Sequence, residues 1–379
     1  MPPPVCHVVH LLYHFGTGGL ENVVVQLINQ LPWGEFRHTV IAITDADPAF
    51  VKRIERTDVD IIGLQKPPGQ PYRLFPRVFR LLRRLKPDVL HSCNVAALEF
   101  VPVAALAGVP LRIHAEHGWD MGELGAKATH YRRLRQFYKH FVHDFIAVST
   151  PLHDYLQNDI GIASRRLHLI PNGVDTAVFR PATTIDAKPE GFPFTRGQHW
   201  VIGMVGRMVP IKNPLMLVDA FISLIQSNAP GTQNMRLAMV GDGPLMGDIS
   251  QRMHSAGLAD HLWLPGGRGD IAAVLRATQC FVLPSLSEGT SCTLQEAMAT
   301  GLPIVATQVG GNADLLEGGR CGTLVPSGDA AALANAIMRH YAEDQRSTQA
   351  RAAQQSVQQR YGLPVIISRY RHLFMKHTS

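Results

Sequence analysis

Apolar residues along this chain alternate between short continuous runs and longer stretches with apolar positions three and four apart. The short runs are 5–12, 39–44, 60–64, 89–91, 111–115, 145–148 and 167–170, then 200–205, 236–240, 262–264, 280–283, 304–306 and 322–325. Strand and helix in regular alternation predict an α/β protein with parallel sheets and helices on both faces. Between the two sets of strands, residues 181–198 mix Thr, Pro, Gly and charge without periodicity, the pattern of a linker. The expected organisation is a Rossmann-like N-terminal domain (1–180), the linker (181–198), a second Rossmann-like domain (199–358) and a last helical segment (359–379) that can pack on either domain, back on the N-terminal one among them. Two such doubly wound domains facing across a cleft would turn the carboxyl ends of both sheets toward it, where open α/β sheets bind their ligands.

Length and composition fit this picture: 379 residues, 46% of them hydrophobic, supply core for two domains. No apolar run approaches the roughly 20 residues that span a bilayer. The N-terminus lacks a basic region, and its apolar stretch is broken by His7 and His10, so it does not read as a signal peptide. Five cysteines without a CxxC pair argue against a disulfide framework or a structural zinc site and fit a reducing cytoplasm.

The net charge of +6 is uneven. Residues 71–143 hold twelve Lys/Arg against five Asp/Glu, an excess of seven. Arg73, Arg77, Arg80 and Arg84 recur at helical spacing among apolar residues, and a second basic segment runs through 132–139 with Phe137 and Tyr138 interleaved. Such a face either lies on an anionic membrane or is a solvated helix face over a core stripe. No nucleic-acid motif accompanies the charge.

Candidate chemistry sits after the strands. Residues 15–21, with Gly18 and Gly19, form a glycine turn before a helix, where backbone amides can approach a ligand. His117 leaves a strand end beside Gly118, while His10, His14, His91 and His114 read as core residues. Arg207 and Lys212 lie five apart across Pro210 and are expected to converge on one anion. Glu288 follows the run 280–283, and Glu296 is expected in the first turn of a helix starting near Thr293. That helix start favours a phosphate flanked by two hydrogen-bonding acids. Asp45-Ala46-Asp47 spells a metal-binding DxD pattern but reads as an acidic turn before Pro48, and no other Asp, His or Cys cluster has ligand spacing.

In this order, Gly18 to Glu21, His117-Gly118, Pro171 to Asp175, Gly206-Arg207 with Lys212-Asn213, Val240 to Gly243, the Glu288-x7-Glu296 pair and Val309 to Gly311 resemble retaining glycosyltransferases of the GT-B fold, glycosyltransferase family 4. A narrower similarity, carried by 18–32, 66–70 and 91–99, is to sugar transferases of PEP-CTERM/exosortase-associated exopolysaccharide systems. The resemblance implies that Arg207 and Lys212 bind the donor diphosphate, assisted by the amides of Gly19, Thr293 and Leu294. It gives Glu296 to the ribose, Glu288 to hydroxyls of the transferred sugar, and His117 to the same sugar. It implies a nucleotide sugar (UDP- or GDP-linked) as donor, a glycan or polyprenyl-linked acceptor, no cofactor and no metal. The location implied is the cytoplasm, with peripheral contact at the inner face of an anionic membrane. Many relatives carry Glu-Gly-Phe-Gly at the first glutamate, whereas this chain has Glu288-Gly289-Thr290-Ser291, so Thr290 and Ser291 add hydroxyls beside the sugar. The competing readings are a non-catalytic sugar-nucleotide-binding or scaffold protein and a nucleotide-sugar epimerase.

Overall fold

A computed structural model describes residues 5–118, 128–183, 186–342 and 348–377. The chain divides into two compact units, Met1–Asn172 with Pro364–Ser379, and Gly173–Leu363. The division precedes residues 181–198, which go with the second unit.

The first unit holds a seven-stranded sheet in the order β3-β2-β1-β4-β5-β6-β7. Its strands are β1 Cys6–Leu12, β2 Phe36–Ala42, β3 Asp60–Gly63, β4 Val89–Cys93, β5 Leu111–Glu116, β6 Asp144–Ala147 and β7 Leu167–Leu169. The second unit holds six strands in the order β10-β9-β8-β11-β12-β13: β8 Trp200–Val205, β9 Met235–Val240, β10 Leu262–Gly266, β11 Cys280–Leu283, β12 Ile304–Thr307 and β13 Thr323–Val325. All pairings are parallel. All thirteen apolar runs are strands, because parallel strands covered on both faces need apolar residues at every position.

Side-chain alternation divides each core into two layers. In the second unit, Ile202, Met204, Leu237, Met239, Val282 and Val305 pack on one face. Val201, Val205, Val240, Phe281, Leu283 and Ile304 pack on the other. In the first unit, Val9, Leu11, Ile41, Leu90 and Phe145 belong to one apolar layer. His10, His38 and His91 are buried outside that layer; Phe374 of the helix Leu363–Phe374 lies against the rings of His10 and His91, and Tyr370 against that of His91.

Strand order reverses between β1 and β4 in one sheet and between β8 and β11 in the other. At such switch points the loops at the carboxyl ends splay apart and leave a crevice. The glycine turn follows β1, and Arg207, Lys212 and Glu288 follow β8 and β11.

Candidate functional site

In the second unit, β8 ends at Val205, and Gly206 follows it with φ +158. Gly206 N–H donates to Val240 O at 3.0 Å, and Met208 N–H donates to Asp242 O at 2.8 Å. These bonds lay the turn after β8 against the turn after β9. The approach requires glycine at 241, since a Cβ there would sit 2.0 Å from Gly206 O. Arg207 is exposed at this turn and has no ion pair among the described residues. A 3-10 turn, Pro210–Lys212, follows, and Asn213 at φ +48 starts the next helix.

The loop after β11 is fixed against that turn by Leu286 N–H, which donates to Ile211 O at 2.8 Å. Glu288 is buried. Its carboxylate accepts from Lys212 Nζ at 2.6 and 2.8 Å and from Ser285 Oγ at 2.6 Å. The side chains are 21% (Lys212) and 6% (Glu288) exposed, so this is a largely desolvated pair. Gly310 supports the loop from below: φ is +50, and a Cβ would lie 1.7 Å from Glu288 O. Gly311 N–H donates to Gly289 O at 3.0 Å. Ser291 then caps the helix Cys292–Thr300, its Oγ accepting from Leu294 N–H at 3.3 Å. Thr290 and Ser291 are buried, and Thr293 and Glu296 are half-buried.

One pairing was unforeseen: Lys212 meets Glu288, because a buried carboxylate holds the nearest ammonium. Glu296 stands in the second turn rather than the first, because the helix starts at Cys292, one residue early. Ser285, three residues before Glu288, was missed; a serine in a polar loop gives no sequence signal of its target.

In the first unit, Gly18 precedes the helix Gly19–Gln30 in extended conformation, without a side-chain cap. A Cβ on Gly18 would lie 2.1 Å from a Glu21 carboxylate oxygen. His117 follows β5, and its N–H donates to the side chain of Asn94, the residue after β4, at 2.8 Å. Both His117 ring nitrogens are buried, and neither meets a partner at hydrogen-bond geometry among the described residues. Burial drives the imidazole down to about 4, against the pull of Glu116 and the neighbouring Asn172 side chain. It is therefore neutral at pH 7 and offers one donor and one acceptor. Trp119 and Asp120, which continue this loop, lie outside the described residues.

Beneath His117, the buried Glu116 carboxylate accepts from Arg135 Nε at 2.6 Å and Nη2 at 3.0 Å, with His114 Nε2 at 3.2 Å. Burial pushes the carboxyl up, but the Arg135 charge and these bonds outweigh it and hold it well below the usual range. Arg135 thus leaves the basic surface segment in which its sequence neighbours place it. His10, His91 and His114 are buried as expected. His14 is not: it is half-exposed and meets Asp45 at 2.8 Å. Asp47 accepts from Ala49 N–H and caps a short helix, so the DxD residues serve an acidic turn.

The fold also assembles a group invisible to spacing. One donor atom each of His91, Cys93 and His117 lies within 4.8 Å of the others. Ligand spacing along the sequence does not reveal it, because His91 and Cys93 lie on β4 and His117 follows β5.

Comparison with known proteins adds the following. Residues 199–343 match the family described as Glycosyl transferases group 1, and residues 17–178 match Glycosyltransferase Family 4. The chain is 31% identical over 266 residues to the UDP-Gal:alpha-D-GlcNAc-diphosphoundecaprenol alpha-1,3-galactosyltransferase of Escherichia coli, covering 69% of this chain and 68% of that protein. It is 27% identical to a GDP-mannose-dependent alpha-mannosyltransferase of Mycobacterium tuberculosis, over 83% of this chain and 81% of the relative. Its fold matches the crystal structure of Anabaena Alr3699/HepE in complex with UDP and glucose, with a TM-score of 0.78 and 21% identity, over 96% of this chain and 98% of that one.

Proposed function

The chain belongs to glycosyltransferase family 4, and we propose that it moves a hexose from a nucleoside diphosphate to a lipid-linked or glycan acceptor in surface polysaccharide synthesis, with retention and without a metal ion. The observation that carries the site assignment is the Lys212–Glu288 pair, fixed at the β8/β11 switch point in front of a helix N-terminus. Two of the three Lys212 ammonium donors face Glu288, which leaves one for a phosphate oxygen. Arg207 offers its planar fork to the same diphosphate, and the amides of Thr293 and Leu294 belong to the helix N-terminus, where the dipole favours negative charge.

In the transition state, negative charge grows on the leaving diphosphate while the sugar becomes oxocarbenium-like. Fixed cations at the phosphates are then the main lever, each worth about a hundredfold or more in rate. Glu288 holds sugar hydroxyls, Glu296 holds the ribose, and Thr290 and Ser291 add hydroxyls beside the sugar. The Gly18 and Gly19 turn and the neutral His117 are further donor contacts in this reading. The acceptor hydroxyl attacks from the leaving-group face and gives its proton to the departing phosphate. No protein base is required.

The Escherichia coli relative, named for a UDP-Gal donor and a diphosphoundecaprenol acceptor, motivates testing UDP-hexoses and a polyprenyl-linked acceptor first. The mannosyltransferase relative places GDP-mannose next. A thermal-shift screen separates them, since a ligand at a hundredfold its Kd stabilises the fold by about 2.7 kcal/mol. Arg207→Ala is expected to cut turnover about a hundredfold while remaining folded. A folded Arg207→Ala or Glu288→Ala protein with unchanged turnover would refute the site. Donor binding without transfer would favour a binding or scaffold protein, and interconversion of nucleotide sugars an epimerase.

A lipid-linked acceptor calls for membrane contact. The helix Phe75–Leu85 buries Val78, Leu81 and Leu82, and exposes Arg77, Arg80, Arg83 and Arg84 with Phe79. Exposed Tyr72 and Arg73 precede it. Each such cation contributes about 1 kcal/mol at an anionic surface. Co-sedimentation with phosphatidylglycerol vesicles, but not with neutral ones, is the expected result; equal recovery would remove electrostatic docking.

A further inference from the structure

His91 and Cys93 are two apart on β4 and therefore project from the same face. Cys93 is in register with Ala115 on β5, and His117 lies two residues further along, drawn to β4 by Asn94. This brings one nitrogen of each histidine and the Cys93 sulfur within 4.8 Å of one another. Cys93 Sγ is 3.8 Å from each His91 ring nitrogen, and Nδ1 is the one taken up by His10. Two bonds of about 2.0 and 2.3 Å from one zinc ion span roughly 3.5 Å at a tetrahedral angle. Both His117 ring nitrogens are buried without a partner at hydrogen-bond geometry among the described residues.

We propose that His91 Nε2, Cys93 Sγ and a His117 ring nitrogen form a three-ligand site for a borderline transition metal, zinc(II) first. On binding, the Cys93 S–H bond breaks, its proton passes to water, and a sulfur–metal bond forms; both imidazoles bind neutral. A fourth position remains for water, as in open zinc sites.

Buried histidines behind the site support it. His91 Nδ1 is 3.0 Å from His10 Nδ1, and His10 Nε2 is 3.0 Å from His38 Nδ1. With metal on His91 Nε2, the Nδ1–H of His91 donates to His10, and the Nε2–H of His10 donates to His38. Each imidazole then carries one proton, and the ligand's orientation is set by its outer partner.

Resting on the glycosyltransferase reading, the site has a consequence: a metal-bound His117 is withdrawn from the donor sugar, so zinc inhibits transfer.

Full-length protein, kept reduced with a non-chelating phosphine, is titrated with cobalt(II) as a spectroscopic stand-in for zinc. One equivalent should bind with a sulfur-to-cobalt charge-transfer band. Cys93→Ser should abolish the band and weaken zinc binding by about a hundredfold or more, and His91→Asn should also weaken binding. Melting curves check that both variants fold. Cobalt bound without the sulfur band, or zinc affinity unchanged in a folded Cys93→Ser protein, would overturn the site. Turnover with and without zinc, each protein compared with its own zinc-free rate, reads the consequence. Inhibition relieved by Cys93→Ser supports it. Metal binding with the sulfur band but without inhibition keeps the site and overturns the coupling. Failure of turnover altogether would fall on the proposed function and leave the binding result standing.

Discussion

Glu288 and Lys212 are 76 residues apart, and their ion pair anchors the site proposed at the second sheet. Lys212→Ala leaves a carboxylate in a buried pocket with only Ser285 to serve it. The expected loss of stability is on the order of 2–4 kcal/mol, toward the lower end for a buried pair because Lys212 keeps a fifth of its surface in water. Adding Glu288→Gln should restore most of the stability and none of the activity, a split that urea melts and turnover assays resolve. Gly310→Ala is a second test: its φ and the 1.7 Å approach to Glu288 O leave no room for a Cβ. The Glu288 loop must move, with a loss of about 1–3 kcal/mol and a fall in kcat/KM; unchanged kcat/KM in a folded variant would contradict this. The residue types at 207, 212, 288 and 296 were legible in the sequence as charged groups following strands. Their pairing was not, since sequence distance says nothing of which cation a buried acid will hold.

Among elements, the strands were the most legible, because burial on both faces writes itself as unbroken apolar runs. The start of β2 was the least so. Arg37 and His38 look polar, yet Phe36 pairs with Cys6 in register and His38 is wholly buried. That burial predicts an acid response. Burial first, then the Arg56 and His7 charges, hold His38 at about 3 instead of 6.5. As pH falls below 6.5 the unfolded chain takes up a proton at this site and the folded chain does not. Stability should therefore decline between about pH 6.5 and 3, by roughly 1.4 kcal/mol per pH unit for this group. His38→Asn should flatten the dependence of the urea midpoint between pH 7 and 5, whereas an unaltered slope would assign the acid response to other groups. The basic segments show the opposite limit of pattern reading: Arg135 has the same spacing as its exposed neighbours but turns inward to Glu116.

At the scale of the molecule, the chain leaves its first unit at Asn172 and returns at Pro364. Apolar periodicity marks the helix Leu363–Phe374, but nothing in that stretch says what it covers. Its rings lie against the histidine layer: Phe374 against His10, His91 and Phe36, and Tyr370 against His91. Lys376 adds a bond to the buried Asp144 at 2.9 Å, and Arg371 one to Glu35 at 2.7 Å. Phe374 and Tyr370 are almost fully buried, so Phe374→Ala should cost about 3–5 kcal/mol. Stopping the chain after Leu363 removes both rings and both ion pairs. That loss is comparable with the whole stability of a domain, about 5–15 kcal/mol, and it falls on the first unit. The truncated protein should bind a hydrophobic dye and lose protection from hydrogen exchange in β1, β2 and β4, while β8, β9 and β11 keep theirs. Equal loss in both sheets would mean that the last helix supports the whole molecule, and no loss in either would mean that the histidine layer needs no cover.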